Sequence, residues 1–440
     1  MLLHKTRHNS IVIQLSPPCP PRLYKQTTHS LALHTNKNSN MATKCTIPII
    51  DFLDFPNQTS NLIAASVEWG CFRLINFHNI LPATLMSDMK AVVRSLLDLP
   101  VEIKQRNIDV IAGSGYMAPT SINPLYEALG VYDIASSADV DKFCSQLDAS
   151  PHQRETIMRY AEAVHVLFMR IGKKLAESLG VKSESIGIEN WPCLFRINKY
   201  NFTPQSVGSP GVQIHTDSGF LTILQYDEGV GGLEVMDTSD QFIPVEPWPD
   251  TLLVNLGDMA TVWSNGRLRN VKHRVQCKEA KIRVSIASFL LGPRETVEPR
   301  PELVDDDHPR WYVPTTYEDY RKMRLSTELQ AGEALALLHT PTNVRKLWSL
   351  NYVTVMLTLN IGNERICNGS CLLLLNLCLL VTVIKVKMLE TNLSKMITFQ
   401  NVMEVSKAED AKARKEKDVI PAEEYKMGTK DYDLEVLEMA

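Results

Sequence analysis

The sequence predicts an α+β fold: a jelly-roll core, or double-stranded β-helix, with a helical N-terminal region packed around it. Two observations predict it. Up to about residue 190 apolar residues recur mainly at helical spacing, whereas after Trp191-Pro192 they fall into short runs rich in β-formers. Eight such runs, at 194–200, 212–215, 221–226, 232–236, 242–245, 252–256, 273–277 and 283–291, are separated by Gly, Pro, Asn and Asp clusters. Short strands in that number close readily as a double-sheet barrel or jelly roll.

Residues 1–40 stand apart, with five basic residues, no acidic ones and the cluster Pro17-Pro18-Cys19-Pro20-Pro21. Such a composition suits an organelle-targeting leader. The plainer alternative is a disordered upstream extension of the reading frame, since Met41-Ala42-Thr43-Lys44 stands just before the first β-run. Residues 41–190 form the helix-rich region. Within it, 47–52 read as a strand, 61–69 as a helix and 71–76 as a second strand. Leu85, Met89, Val92, Val93 and Leu96 mark a core-facing helix over 85–97, ended by Leu99-Pro100. Gly113-Ser114-Gly115 is a loop and not a phosphate cradle, because no Gly-Lys-Ser/Thr follows it. Ile157, Tyr160, Val164, Leu167, Ile171 and Leu175 trace one stripe of a long helix over 152–179, with Gly180 to cap it.

The strand runs begin a second region at 191, closed by a helix over 317–338 with Tyr320, Met323 and Leu325 among its apolar positions. Residues 340–440 are an atypical extension. Their apolar segment 371–384 is shorter than the roughly 20 residues a spanning helix needs. The tail from Asn401 carries seven basic and eleven acidic residues, a density that points to a solvated helix or a disordered tail.

The chemistry concentrates at the end of the second run. His215 and Asp217 are two residues apart, and strand geometry throws positions i and i+2 to one side, so both can converge on one ion. His273 follows in Asn270-Val271-Lys272-His273. A lone strand histidine is more often a hydrogen-bonded core residue than a ligand, so the case rests on the combination. Two imidazoles and a carboxylate with no thiolate nearby form a facial triad with open positions, which favours non-haem Fe(II). Zinc is the rival, but a redox-silent ion does not activate dioxygen. Arg283 and Ser285 share a strand face by the same spacing, and a guanidinium fork beside a hydroxyl suits a carboxylate.

These residues resemble the plant 2-oxoglutarate- and Fe(II)-dependent dioxygenases: His-x-Asp, a distant His, then Arg-x-Ser. The resemblance runs from about residue 47 to 339, through Ile47-Pro48-Ile49-Ile50-Asp51-Phe52, Trp69-Gly70-Cys71-Phe72, Arg196-Ile197-Asn198-Lys199-Tyr200, Asn255-Leu256-Gly257-Asp258 and Ser264-Asn265-Gly266. One departure is local: Asn76-Phe77-His78-Asn79 stands where the family usually has Asn-His-Gly, which bears on a turn and not on the metal site. The resemblance implies that 191–339 is the catalytic domain, with His215, Asp217 and His273 as iron ligands and catalytic centre. It implies Arg283, Ser285 and Tyr200 as holders of 2-oxoglutarate, with Asn198 on the same strand face in either a structural or a binding role. Fe(II), 2-oxoglutarate as cosubstrate and supporting ascorbate are the implied cofactors. Within the family, residues 109–117, 123–128 and 195–204 are most similar to the auxin-oxidising members. Indole-3-acetate would then become 2-oxindole-3-acetate, with dioxygen consumed and succinate and carbon dioxide released. Such a pocket needs apolar and aromatic walls plus a cation or donors for the acetate. Tyr116, Met117 and Phe289 are the candidate wall residues, each equally readable as core.

Two other functions stay open on the sequence: the same chemistry on a gibberellin, flavonoid or alkaloid precursor, and a non-catalytic binding protein with a disrupted fold. A formal charge of −4 gives no electrostatic reason to expect nucleic acid as a partner. Nine scattered cysteines without a Cys-x-x-Cys pair read as reduced thiols, and no membrane partner is expected. A cytoplasmic location follows, with organelle targeting by residues 1–40 as the alternative. No Gly-x-Ser-x-Gly elbow supports a serine hydrolase.

Overall fold

Strands and helices alternate before residue 191, and strands dominate after it. The computed structural model describes residues 46–182 and 186–340. The first part runs β1 (Ile49–Asp51), α1 (Thr59–Ala64), β2 (Cys71–Ile75), α2 (Ala83–Leu97), α3 (Val101–Lys104), β3 (Tyr126–Val131), α4 (Ser137–Gln146) and α5 (Pro151–Ser178). The second runs β4 (Cys193–Tyr200), β5 (Pro210–His215), β6 (Leu221–Gln225), β7 (Leu233–Met236), β8 (Phe242–Pro244) and β9 (Leu252–Leu256). It ends with α6 (Asp258–Trp263), β10 (His273–Gln276), β11 (Arg283–Leu290) and α7 (Tyr317–Thr327). Among the described residues these strands form a seven-stranded sheet, ordered β1-β2-β9-β6-β11-β4-β3, and a four-stranded sheet, ordered β5-β10-β7-β8. All eight expected runs after residue 191 are strands, within two residues at either end.

The long helix shows why the large sheet is covered. α5 begins with a capping box, Ser150 and Gln153 exchanging side-chain and backbone bonds, and has Pro151 in its first turn. Its stripe of Ile157, Tyr160, Val164, Leu167, Ile171 and Leu175 is buried throughout, each side chain worth ~1.5–3 kcal/mol relative to exposure. Gly180 takes φ 78° and closes the helix, with Gly180 N–H donating to Glu177 O and Val181 N–H to Ala176 O. α2 packs on β11 and β4, and α5 on β6. β11 is therefore buried at all eight positions: one face meets the helical layer and the other faces the space between the sheets.

Several expectations change. The strands expected over 47–52 and 71–76 form as β1 and β2, but with the unexpected β3 they join the large sheet itself, β2 pairing with β9 and β3 with β4. β3, α3, α4 and α6 were not legible as regular elements. The helix over 61–69 starts at Thr59 and its last turn, Ala65–Trp69, widens to a π-helix closed by Gly70 at φ 70°. A side chain at Gly70 would bring Cβ to 2.2 Å from the Arg269 carbonyl oxygen. The helix over 317–338 is broken: α7 ends where Glu328 turns to φ 58°, and a 3₁₀ segment, Glu333–Leu338, follows Gly332 at φ 86°. Leu325 is only half-buried, and Arg324 beside it takes the inner position. At the variant turn, Asn76 adopts φ 57° and Phe77 is buried, stacked on the His78 ring. The expected extensions, 1–40 and the segment beyond Thr340 with its apolar stretch 371–384 and charged tail, lie outside the described residues. No helix among the described residues is long and apolar enough to cross a membrane.

Candidate active site

The two sheets face each other across a cleft of about 640 Å³, its mouth included. Register decides what lines it. In the small sheet His273 pairs directly with His215, so both imidazoles rise from one face of neighbouring strands, ring centroids 4.2 Å apart. Asp217, just beyond β5, brings Oδ1 to 3.6 Å from His273 Nε2 and 4.0 Å from His215 Nε2. One ligand atom from each of the three residues falls within 4.8 Å of the others, and all three are buried.

Each group is aimed by its neighbours. Nδ1–H of His215 donates to Gln213 O at 2.8 Å and Nδ1–H of His273 to Val271 O at 3.2 Å, which leaves both Nε2 lone pairs toward the common centre. Thr222 donates to Asp217 Oδ2 at 2.6 Å, and the Asn255 side chain also bonds this carboxylate, leaving Oδ1 for the centre. Burial drives the His215 imidazole down to about 3, and His273 beside it adds to the effect. Burial alone would push the Asp217 carboxyl up, but the two imidazoles and the Thr222 and Asn255 donors outweigh it and hold it below its usual range. Neutral imidazole and ionised carboxylate are the protonation states a divalent metal requires.

Behind the triad sits a buried charge node that sequence reasoning missed. Asp258, at the start of α6, accepts from Arg324 Nη1 (2.9 Å), Tyr320 OH (2.6 Å), Thr216 Oγ1 (3.1 Å) and Asn270 Nδ2 (2.6 Å). Arg324 also donates to the Thr216 and Gln330 carbonyl oxygens at 2.9 and 2.6 Å. Thr216 lies between two triad residues, so α7 and its following turn fix the segment that carries them. Gly257 lets α6 approach: Cβ there would stand 2.2 Å from Gly219 O and 2.7 Å from Asp217 O.

The large sheet supplies the opposite wall in rows. Tyr126, Tyr200 and Arg283 pair in one row, Ala128, Asn198 and Ser285 in the next. Arg283 is 2% exposed, lies 4.9 Å over the Tyr200 ring and donates to Ser285 Oγ at 3.4 Å. Its Nε has no partner, and no carboxylate pairs with Arg283 among the described residues. A guanidinium so buried and unpaired is a place for an anion. Burial pushes the Tyr200 phenol up, so it stays a donor beside that guanidinium. Asn198 bonds Tyr126 OH at 2.7 Å and Ser285 Oγ at 3.4 Å, bridging the rows.

Of the three candidate wall residues, Phe289 lines the cleft and Tyr116 and Met117 do not. Tyr116 donates to Glu127 Oε1 at 2.9 Å with the Lys104 ammonium over its ring, and burial and Glu127 push its phenol up. Met117 bridges to Ala128 at the sheet edge and touches Arg196 through its sulfur. Arg196 does line the cleft and was overlooked, although its i, i+2 spacing to Asn198 and Tyr200 put it on their strand face.

Comparison with known proteins agrees with this geometry. Residues 191–292 match the family model of the 2OG-Fe(II) oxygenase superfamily. The chain is 56% identical over 283 residues to the 2-oxoglutarate-dependent dioxygenase DAO of Oryza sativa subsp. indica, covering 64% of this chain and 93% of that protein. The crystal structure of the rice dioxygenase for auxin oxidation superposes with TM-score 0.62 at 52% identity, over 67% of this chain and 100% of that one. Dioxygenase for auxin oxidation 1 of Arabidopsis thaliana, in its binary complex with 2-oxoglutarate, gives TM-score 0.58 at 55% identity, over 60% and 100%. With its jelly-roll core and its buried His-Asp-His cluster, the chain belongs to the 2OG-Fe(II) oxygenase superfamily and is an Fe(II)- and 2-oxoglutarate-dependent dioxygenase acting on a small molecule.

Proposed function

We propose that this enzyme oxidises indole-3-acetate to 2-oxindole-3-acetate, with one 2-oxoglutarate and one dioxygen giving succinate and carbon dioxide. The observation that carries the reading is the 56% identity to the rice enzyme over 283 residues, which span 93% of that protein. In this reading His215, Asp217 and His273 hold Fe(II), for which two imidazoles, a carboxylate and open positions are a suitable donor set. Arg283, Ser285 and Tyr200 hold the distal carboxylate of 2-oxoglutarate, and Asn198 keeps their hydroxyl partners in line. The unpaired Arg283 guanidinium fits that task, since a dicarboxylate supplies the charge it lacks. Residues 191–339 act as the catalytic domain and 41–190 as the layer that supports it.

Bound iron and 2-oxoglutarate supply the oxidising power; the protein's share is position and the exclusion of water. The Gln213 and Val271 carbonyls keep each ring proton on Nδ1, so Nε2 stays a donor to metal. Thr222 and Asn255 keep Asp217 from rotating its second oxygen inward. Val212, Leu233, Val275 and Phe289 make the remaining wall apolar, which suits an indole. We place the enzyme in the cytoplasm.

Incubating Fe(II)-loaded protein with 2-oxoglutarate, ascorbate and indole-3-acetate tests the substrate. Equimolar succinate and 2-oxindole-3-acetate are expected. Succinate no higher than the substrate-free background would sink the auxin reading, and a panel of gibberellin, flavonoid and alkaloid precursors would then find the true substrate. Tagged chains starting at Met1 and Met41 test location: import of the longer alone into plastids or mitochondria refutes the cytoplasm.

A further inference from the structure

We infer that Arg196 is the anchor for a carboxylate on the substrate, distinct from the Arg283 position that holds 2-oxoglutarate; its identification with the acetate of indole-3-acetate rests on the reading above. Arg196 is 2% exposed, lines the cleft and has no carboxylate partner among the described residues. Its Nε is unpartnered, and Nη1 meets only the Met117 thioether, a weak acceptor. The nearest strand carboxylate in sequence register, Glu127, pairs across from Lys199 on the alternate positions and is already held by Lys104. A desolvated guanidinium without a counter-ion is costly to keep, so the site is built for an anion that arrives from outside.

Position separates it from the cosubstrate. Arg283 pairs with Tyr200, whereas Arg196 pairs with Ala287, so the two arginines are carried four residue levels apart, ~13 Å along the sheet. Around Arg196 the wall changes character: Ala287 and Leu224 share its row and Phe289 stands two residue levels on. A guanidinium beside an apolar strip describes a ligand with one carboxylate and one flat apolar body. Charge agrees. Among the described residues, Asp217 is the one acidic residue lining the cleft. With Fe(II), two guanidiniums, Asp217 and the 2-oxoglutarate dianion together, one positive charge is left over, which a monocarboxylate cancels.

Calorimetric titration of the holoenzyme with Fe(II) and 2-oxoglutarate, under exclusion of dioxygen, tests this with indole-3-acetate and its neutral isostere indole-3-acetamide. The parent should bind the acid roughly ten- to a hundred-fold tighter than the amide. Arg196→Gln should bring the acid down to the amide's affinity and leave 2-oxoglutarate binding unchanged, with Arg196→Lys intermediate. Equal loss of 2-oxoglutarate affinity, or an acid-to-amide ratio untouched by Arg196→Gln, overturns the assignment. The comparison on the parent protein needs no variant: equal affinity for acid and amide also overturns it. If the parent binds neither indole, other monocarboxylates are titrated against their amides. Discrimination that vanishes in Arg196→Gln then supports the anchor while the auxin reading falls, and no discrimination with any pair refutes both.

Discussion

Replacing Arg324 with methionine removes the counter-ion of Asp258 and nothing else of comparable size. Both side chains are almost fully buried, 3% and 0% exposed. Breaking a buried pair by deleting one partner costs ~3–5 kcal/mol. Tyr320, Asn270 and Thr216 still hold the carboxylate, which favours the lower end, but the carbonyls of Thr216 and Gln330 lose their donor at ~1 kcal/mol each. The sum is about 5 kcal/mol. A folded body of this size has a melting entropy of roughly 0.6 kcal/mol/K, so Tm should fall by ~8 °C. The effect has a pH signature. Burial pushes the Asp258 carboxyl up and Arg324 pulls it back, so without Arg324 the folded state holds a proton that the unfolded chain releases. The penalty is therefore largest at high pH and shrinks as the carboxyl protonates on acidification. Melting curves of parent and variant between about pH 8 and pH 5 read it out. An unchanged Tm, or a gap that widens on acidification, would show that Asp258 and Arg324 are not a coupled pair.

Other perturbations separate metal, cosubstrate and backbone. His215→Ala should abolish turnover and weaken Fe(II) binding by more than the roughly 10–100-fold typical of losing a group that merely orients a ligand; retained keto-acid consumption at the parent rate refutes the triad. Arg283→Met should raise KM for 2-oxoglutarate ~10–100-fold while iron content holds, because charge-assisted bonds of ~1.5–3 kcal/mol are lost; an unchanged KM removes Arg283 from that role. Gly257→Ala forces Cβ against Gly219 O at 2.2 Å, so α6 must shift and iron content should fall with Tm; parent-like values for both would show that the close approach is not required. In the apoprotein His215 stays neutral down to about 3 because burial and then His273 disfavour its charge. The unfolded chain takes up that proton below about 6.5, so apoprotein stability is highest above this value and falls as pH drops from there. A Tm independent of pH between about 7 and 5 contradicts the burial of that imidazole.

The strands after residue 191 were legible because their alternation and turn residues are local signals, and the shared face of Arg283 and Ser285 because i, i+2 spacing on one strand survives folding. His215 and Asp217 converge although Asp217 stands just beyond β5. What escaped depended on distant partners. β3 reads poorly alone: Glu127 interrupts it and Gly130 weakens it, but Asn107 bonds both backbone groups of Gly130 from outside the sheet. The break after α7 was hidden because Arg324 and Gln330 look like ordinary surface residues until Asp258 and Thr216 are seen opposite. Tyr116 and Met117 lie inside the 109–117 stretch that suggests a pocket wall, whereas the Lys104–Glu127 pair draws the tyrosine aside. Arg196 could have been found: a charged residue on the inward side of a strand already assigned two site residues is itself a signal.

The direct pairing of His215 with His273 gives the cation a mechanical role. It would pin the ends of β5 and β10, which otherwise meet through a ladder broken by two register irregularities. A slip of one residue would turn one imidazole outward and release the pin. Metal occupancy would then report strand alignment: a small sheet docked one residue out of step would lack one of the three ligands.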